Sequence, residues 1–317
     1  DIIGPLSAFV IIFLIASVTT PRFFDAGNIH NLILQVCVTA FLAIGATLVI
    51  LTGGIDISSG SAIALQTMVL ATMVKFMNVP VWQAIILVII LATIMGLYNG
   101  ALVAYLRIPA FIATLASQAI FRGIAFLFNN GSPLQSISPE VEPIFYTKIG
   151  FVPITFFYIF VFYTAAFTLL KYTQLGRKIY AVGGNESAAR LSGINVKSVL
   201  LVTYAMAGFF TGIAAVLMAC RLNSGSQNYG PGMEMTAIAA AVIGGTSMIG
   251  GKGNVVSTFI GAMIVLIVQN VLNLNSVPTS VQQVVLGIII MLAVVLDVWR
   301  SQLSKIFIKT SKAESKR

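Results

Sequence analysis

The chain has 317 residues, of which 58% are hydrophobic and only 9% are charged, and its mean hydropathy is +0.99. Soluble globular domains carry charge on about a quarter of their residues, so this composition excludes that class. Eighteen basic and nine acidic side chains give a net charge of +9, and the positions of those charges decide whether they indicate a nucleic-acid ligand or membrane topology.

Long apolar stretches with few charges, separated by turn signals, predict ten membrane helices. We expect them near residues 2–20, 30–52, 58–77, 81–105, 110–129, 151–171, 198–221, 234–247, 254–273 and 280–299. The eighth is short for a full crossing. The predicted fold class is therefore an all-α polytopic membrane protein with about ten transmembrane helices, which forms a single domain over residues 1–317.

The basic residues fall mainly on one side of this predicted topology. If the chain enters from the cytoplasm, thirteen of the eighteen Lys and Arg lie in inner connections or in the tail, residues 300–317. The exceptions are Arg22, Lys75, Arg122, Lys148 and Arg221. The positive-inside rule then predicts a multi-pass protein of the bacterial inner membrane with both termini in the cytoplasm. Topology accounts for the charge, so we expect no nucleic-acid partner, and the basic tail is expected to contact anionic lipid.

The longest inner connection, residues 173–197, contains a predicted surface helix. Asn185 is a typical N-cap, Glu186 supplies an acidic first turn, and Gly193 ends the helix. Small side chains at Ala188 and Ala189 would leave one face open to the groove of another protein. An ordinary connecting helix explains the segment equally well. The candidate coupling residues are Gly176, Arg177, Gly184, Asn185, Glu186, Ala188, Ala189, Arg190 and Gly193.

A glycine-rich break, residues 52–60, separates the second and third predicted helices. Gly53 and Gly54 permit backbone conformations that interrupt a helix, and Ser58 is expected to cap the next one beside Asp56. A carboxylate between two apolar segments suggests a functional site. Capping of the third helix at the inner interface is the alternative for Asp56.

A similar glycine-rich break, residues 244–253, lies in the second half of the chain. Each break is followed by an Asn within a helix and then by a Pro, which are Asn99 and Pro109 in the first half and Asn270 and Pro278 in the second. The second predicted helix runs inward whereas the seventh runs outward, so the similarity suggests two inverted repeats.

Polar residues inside the apolar segments are candidates for a transport route. Arg122 lies more than two turns inside the fifth helix, where a charged side chain normally faces the bundle interior or a water-filled cavity. Uncharged groups could line a route for a neutral, hydroxyl-rich solute or could simply bridge helices. The candidate pathway residues are Gly53, Gly54, Asp56, Asn99, Thr114, Gln118, Arg122 and Asn270, and Asn223 and Gln269 are polar in the same way.

The sequence contains no complete motif for nucleotide binding, metal binding or catalysis. Lys252 lacks the Gly and the Ser or Thr that a phosphate-binding loop requires around its Gly-Lys pair. His30 is the single histidine, and no set of side chains has metal-ligand or catalytic-triad spacing, so we expect neither an enzyme nor a metal site. The alternatives to a passive transport subunit are an ion-coupled carrier that uses Asp56 and a receptor that uses the outer loop, residues 129–150.

Three segments resemble the membrane permease subunits of bacterial ribose-type ABC sugar importers. They are GGIDISSG at 53–60, GRKIYAVGGNESAARLSGI at 176–194 and AIAAAVIGGTSMIGGKG at 237–253. Residues 110–115 and the segment that begins at Arg122 resemble the ribose branch more than the galactose permeases. Ile57 and Ser59 replace the Leu and Val that the family commonly has at these positions.

The resemblance implies the assembly in which the chain would act. Two copies of the permease would surround a central route, and a periplasmic binding protein would deliver a monosaccharide such as ribose. A separate cytoplasmic ATPase would bind ATP and Mg, and this chain would bind no cofactor. The helix after Asn185 would be the coupling helix that moves with the ATPase and switches the route between outward-open and inward-open.

Overall fold

The computed structural model describes residues 2–150 and 152–295, and these residues are mostly helical. The helices are α1 (Ile3–Thr19), α2 (Ala26–Leu51), α3 (Ser59–Lys75), α4 (Val81–Ala104), α5 (Ala110–Leu127), α6 (Val141–Tyr146), α7 (Ile154–Tyr172), α8 (Gln174–Gly184), α9 (Glu186–Leu191), α10 (Val196–Leu222), α11 (Met233–Ile243), α12 (Val255–Leu274) and α13 (Thr279–Val295). A 3-10 helix, Phe128–Gly131, continues α5. The basic tail predicted to bind lipid, residues 300–317, lies outside the described residues.

Six helices are long and apolar enough to cross a membrane, judged by length and composition over the described residues. They are Ala26–Leu51, Val81–Ala104, Ala110–Gly131, Ile154–Tyr172, Val196–Leu222 and Val255–Leu274. The helices α1, α11 and α13 are shorter apolar helices, and α3 has 17 residues. The prediction of a multi-pass helical protein is confirmed at this coarser level.

The outer loop is folded, and it pairs with other segments in short strands that an all-α prediction does not include. The strands are β1 (Leu134–Gln135), β2 (Lys148–Ile149), β3 (Val152–Pro153) and β4 (Ser224–Gly225). The pairs β1–β4 and β2–β3 are antiparallel. Val141 and Phe145 on α6 are fully buried, so this part of the chain packs on the bundle rather than extending into solvent.

The central helix of the bundle is α2, with 83% of its most apolar window buried, whereas the corresponding windows of α5 and α7 are 28% buried. The peripheral helices turn large apolar side chains outward, among them Val18, Trp82 and Phe160. Water would make such a surface costly, whereas lipid tails solvate it well. The distribution of exposed apolar side chains therefore fits a bilayer.

Small residues hold α4 and α10 in close contact. Gly96 on α4 faces Gly208 on α10, and a Cβ built on Gly208 would lie 2.3 Å from the carbonyl oxygen of Ala92. A Cβ on Gly96 would lie 2.2 Å from the carbonyl oxygen of Tyr204. Glycine lets two helix backbones approach closely, which is the usual basis of helix packing in membranes.

The bundle has two distinct ends. The C-terminus of α2, both helices α8 and α9, the N-terminus of α10 and the connection between α11 and α12 meet at one end, which we call the basic end. The N-terminus of α2, the C-termini of α10 and α12, and the N-termini of α11 and α13 surround a cavity at the other end, which we call the outer end. The candidate residues are distributed between these two ends and the interior.

Candidate functional site

The chain between α2 and α3 forms an unwound segment, residues 52–58, that reaches the bundle interior. Gly53 has a φ of +80°, a backbone conformation that favours glycine, as its position in the motif predicts. The carboxylate of Asp56 accepts a hydrogen bond from the backbone N–H of Ser58 at 2.8 Å and another from the Ser58 hydroxyl at 2.7 Å. Ser58 occupies the N-cap position of α3, but its side chain makes no capping bond. The predicted cap by Ser58 is therefore wrong, and its hydroxyl instead donates to Asp56 and accepts from Asn99.

A chain of side-chain hydrogen bonds connects Asp56 to two neighbouring helices. The amide of Asn99 on α4 donates to the Ser58 hydroxyl at 2.8 Å, and the hydroxyl of Ser117 on α5 donates to the Asn99 side-chain oxygen at 2.5 Å. Thr114 on α5 accepts from the N–H of Ile57 at 3.3 Å. These bonds satisfy a non-helical backbone that lipid would leave without partners.

The space beside this network is too small for a sugar in this conformation. Asp56, Ser58 and Asn99 line a narrow cavity of about 10 Å³, together with Met95 and Phe121. That volume is about the minimum for one water molecule. The network therefore closes the bundle interior here, although three of its members were candidate pathway residues.

Three glycine motifs that are far apart in sequence meet at the basic end. We call this contact the glycine junction, and its residues are Gly53, Gly183, Gly184, Gly250 and Gly251. The N–H of Gly251 donates to the carbonyl oxygen of Leu51, the last residue of α2, at 3.0 Å. A Cβ on Gly183 would lie only 1.8 Å from the same oxygen. Because the contact joins backbone to backbone, no flexible side chain separates the inner connection from the two glycine-rich breaks.

Helix α8 precedes the predicted surface helix and was missed in the sequence. Thr173 caps it by accepting a hydrogen bond from the N–H of Gly176 at 3.2 Å. The hydroxyl of Tyr180 donates to the carbonyl oxygen of Gly253 at 2.8 Å, and burial raises the pKa of this phenol, so it remains protonated. This bond ties α8 to the connection between α11 and α12.

The surface helix itself, α9, has the predicted ends. The side chain of Asn185 accepts from the N–H of Ala188 at 2.9 Å, and Gly193 has a φ of +80°. Arg190 and Glu186 form an ion pair at 2.6 Å across one turn. These contacts confirm the cap, the acidic first turn and the terminal glycine.

The exposed face of α9 differs from the predicted one. Ala189 is only 4% exposed and packs inward, so its predicted place on an accessible face is wrong. Ala188 is exposed, and Leu191 is 90% exposed, which the sequence analysis did not single out. Of the other coupling candidates, Gly176 is buried against the end of α7, where a Cβ would lie 2.2 Å from the Leu170 carbonyl oxygen.

The outer end contains a cavity of about 430 Å³ that we call the outer cavity. Its polar side chains come from Gln35, Thr39, Arg221, Thr236, Gln269, Asn273, Thr279, Gln282 and Gln283. One lining residue is charged, and the rest of the polar lining consists of amides and hydroxyls. Except for Gln269, sequence reasoning missed these side chains, because they lie on five different elements.

Two candidate pathway residues make hydrogen bonds between segments of the bundle. Asn270 on α12 and Asn28 on α2 exchange amide hydrogen bonds of 3.1 and 2.7 Å, so Asn270 joins these two helices. The guanidinium of Arg122 donates to the carbonyl oxygens of Gln227 and Tyr229, at 2.5 and 2.8 Å. Gln118 is half-buried and lines neither the narrow cavity nor the outer cavity.

Glu234 is a buried carboxylate that the sequence analysis missed. It lies in the first turn of α11 and is 6% exposed. A Cβ on Gly60 would lie 2.0 Å from its Oε2, so the carboxylate abuts the first turn of α3. The N-terminus of a helix stabilises a nearby negative charge. The available signal was an acidic residue inside an apolar segment.

Comparison with known proteins identifies the family of this chain. The permease family described as branched-chain amino acid transport system / permease component matches residues 28–294. The chain belongs to this family. The ribose import permease protein RbsC of Escherichia coli (strain K12) is 40% identical over 296 residues, which cover 92% of each chain. The D-allose transport system permease protein AlsC of the same strain is 35% identical over 288 residues, 91% of this chain and 88% of that protein.

A third relative of this permease, the xylose transport system permease protein XylH of Haemophilus influenzae (strain ATCC 51907 / DSM 11121 / KW20 / Rd), is 33% identical over 354 aligned positions. The alignment covers 92% of this chain and 94% of that protein. The resemblance to ribose-type permeases is therefore confirmed over nearly the whole chain. No solved structure matched the chain.

Two further features of the permease bear on chemistry. Over the described residues, no group of three His, Cys, Asp or Glu side chains lies close enough to hold a metal ion. Cys37 and Cys220 are buried and do not form a disulfide. The relatives above carry the names of permeases and not of enzymes.

Proposed function

We propose that this chain is the transmembrane subunit of an ATP-driven importer that passes a monosaccharide, ribose or a related sugar, from a periplasmic binding protein into the cytoplasm by alternating access. The relatives named for ribose, D-allose and xylose support this substrate class. The family description names branched-chain amino acids instead, so the chemistry of the cavity has to discriminate between the two.

The composition of the outer cavity is the observation that carries the proposal. Its amide and hydroxyl groups, among them Gln269, Asn273 and Gln283, can both donate and accept hydrogen bonds, as sugar hydroxyls do. A zwitterionic amino acid would need an acceptor of negative charge for its ammonium group, and the lining contains Arg221 but no Asp or Glu. A neutral polyol therefore fits this lining better.

We place the energy source on a separate subunit. A cytoplasmic ATPase would bind ATP and Mg and would receive α9 in a groove, with Glu186, Ala188, Arg190 and Leu191 on the docking face. The glycine junction would carry movement of α9 to the unwound segment without loss in flexible side chains. The permease itself would bind no cofactor.

The remaining features of the assembly follow from the orientation that we propose. The basic end faces the cytoplasm, both termini lie there, and two copies of the chain surround the route in the inner membrane. In this proposal the chain makes about ten crossings in a single domain, with the two halves as inverted repeats. The basic tail contacts anionic lipid.

Reconstitution tests the proposal directly. Liposomes that contain the chain, its ATPase and ATP inside, with binding protein and labelled ribose outside, are expected to accumulate the sugar. Glu186→Arg and Ala188→Arg are expected to abolish accumulation while the ATPase still hydrolyses ATP, because the added charge disturbs the docking face. Normal accumulation by both variants would refute the coupling role of α9.

The same liposomes discriminate against the ion-coupled carrier. That alternative requires uptake by the chain alone under a proton or sodium gradient, and abolition of this uptake by Asp56→Asn. We expect no uptake by the chain alone, because the Asp56 carboxylate is engaged by Ser58 at the start of α3. Gradient-driven uptake without the ATPase would overturn the proposal.

A further inference from the structure

A second sizeable cavity opens at the basic end, with a volume of about 330 Å³. We call it the basic cavity, and its lining includes Gly54, Arg107, Glu186, Arg190, Lys197 and Tyr204. It lies between the unwound segment, the end of α4, the start of α5, α9 and the start of α10. The transport cycle proposed above assigns no ligand to this space.

The charges around the basic cavity are unbalanced. Arg190 is paired with Glu186, which is the one ion pair between side chains in the part of the chain that the structure describes. Arg107 and Lys197 therefore line the cavity without a carboxylate partner among those residues. The Lys197 ammonium lies 5.4 Å from the centre of the Tyr105 ring, an aromatic contact that leaves its charge uncompensated.

Two long helices begin at the same cavity. Helix α5 has 18 residues and starts at Ala110, after Pro109, with no side-chain cap. Helix α10 has 27 residues and starts at Val196, and the side chain of Asn195 caps it by accepting from the N–H of Ser198. Ala110 and Val196 both line the cavity, and so do Thr52 and Ala104 at the ends of α2 and α4, so the uncapped start of α5 is the helix end that can add to the two unpaired cations.

The wall of the same cavity contains a tyrosine whose buried hydroxyl has no partner among the described residues. Tyr204 is fully buried and lines the cavity, and its hydroxyl has no hydrogen-bond partner among the described residues. The absence of a side chain at Gly54 makes room for it, since a Cβ there would lie 2.8 Å from the Tyr204 hydroxyl oxygen. A buried hydroxyl without a partner is costly, so a ligand that reached it would gain a hydrogen bond at no loss elsewhere.

From these contacts we propose that the basic cavity binds a phosphate-bearing anion. The anion would accept hydrogen bonds from Arg107, Lys197 and the Tyr204 hydroxyl, in front of the N-terminus of α5. The cavity exceeds the size of inorganic phosphate, so the group would carry an organic body. Both a soluble phosphomonoester and the headgroup of an anionic lipid have this chemistry. Because Glu186 and Arg190 share the cavity, an occupant would contact α9.

The first measurement uses the full chain in nanodiscs of zwitterionic lipid. We expect inorganic phosphate, at constant ionic strength, to raise the melting temperature saturably. The double variant Arg107→Gln/Lys197→Gln should weaken this response at least about tenfold, because two charge-assisted bonds are lost. Lys178→Gln, which removes an exposed cation outside the cavity, is the matched control and should respond like the original chain.

Tyr204→Phe provides a signature that a purely structural tyrosine would not give. In buffer without phosphate, the variant should melt at or above the temperature of the original chain, because it removes an unpartnered buried hydroxyl. In saturating phosphate, the order should reverse. A variant that is less stable under both conditions would show that the hydroxyl already has a partner, and it would overturn the proposal.

Native mass spectrometry distinguishes the two sources of phosphate. Retention of phosphatidylglycerol that depends on Arg107 and Lys197 would identify a lipid headgroup, whereas a phosphate response with no such retention would identify a soluble ligand. Both results support an anion site. If neither probe binds, or if binding is unchanged in the double variant, the proposal is wrong, while sugar uptake by the reconstituted importer is judged separately.

Discussion

The two ends of the bundle are built from different parts of the chain. At the basic end, the glycine junction joins the backbones of three connections, with no side chain between them. At the outer end, amide and hydroxyl side chains from five elements surround an open cavity. Backbone contact transmits displacement because it cannot be absorbed by rotamer changes, whereas side chains around a cavity can reorganise around a solute. In the proposed function, the basic end would therefore transmit movement and the outer end would accept the solute.

Gly183→Ala should give the largest loss of stability and uptake among these variants, and it tests the glycine junction at the basic end. Its Cβ would lie 1.8 Å from the Leu51 carbonyl oxygen, so the junction must open, at a cost of ~3 kcal/mol. We expect a clear loss of thermal stability and of ATP-driven uptake. Gly184→Ala is the matched control, since its Cβ meets nothing within 4 Å. Equal behaviour of the two variants would contradict the close contact.

Asn99→Ala tests the network between the two ends. It removes two buried hydrogen bonds, to Ser58 and Ser117, so the free energy of unfolding should fall by ~2 kcal/mol. Gln118→Ala, which replaces a half-buried neighbour of Ser117, should change the free energy of unfolding by less than ~0.5 kcal/mol. Denaturation of both variants in detergent measures the difference, and a larger loss at Gln118 would argue against the network.

Gln269 and Asn270 are neighbours on α12, and substituting each one tests solute contact and helix bridging separately. Gln269→Ala should raise the sugar concentration for half-maximal uptake about fivefold, the equivalent of ~1 kcal/mol, with unchanged melting temperature. Asn270→Ala should instead lower stability by ~1 kcal/mol, because Asn28 loses its partner, and should leave that concentration unchanged. Uptake titrations and melting curves on both variants measure these effects. A loss of stability at Gln269 with a loss of sugar affinity at Asn270 would show that the two roles are reversed.

Glu186→Gln should give the smallest effect on stability. Its ion pair with Arg190 joins side chains that are 55% and 60% exposed, so the expected loss is ~0.3 kcal/mol. Thermal melting of the isolated chain measures it. A loss several times larger would mean that α9 depends on this pair for its fold, and the uptake defect expected of Glu186→Arg could then not be attributed to docking.

Local features of the site were predictable because they depend on neighbours in sequence. The cap at Asn185, the positive φ at Gly53 and the terminal Gly193 follow from side-chain chemistry within a few residues. Helix bridging was an alternative for Asn270 in the sequence, but its partner Asn28 was not predictable, because it lies 242 residues away. The inward position of Ala189 depends in the same way on the surface beneath α9.

The cap of α3 shows why even a correct motif can be assigned the wrong bonds. Asp56 and Ser58 both have oxygen atoms that can accept from the start of a helix, and their spacing permits either arrangement. The Ser58 hydroxyl instead donates to Asp56 and accepts from Asn99, and α3 has no side-chain cap. The contacts that replace the predicted cap therefore involve a residue on another helix.

The sequence alone determined that the chain is a helical membrane protein, which segments are apolar, and where the surface helix begins and ends, because hydropathy and capping act over short stretches of chain. Only the tertiary structure decided that three glycine motifs touch, that amides from five elements share the outer cavity, and that Arg107, Lys197 and Tyr204 line one space. These contacts depend on how distant helices pack, and no local pattern encodes that packing.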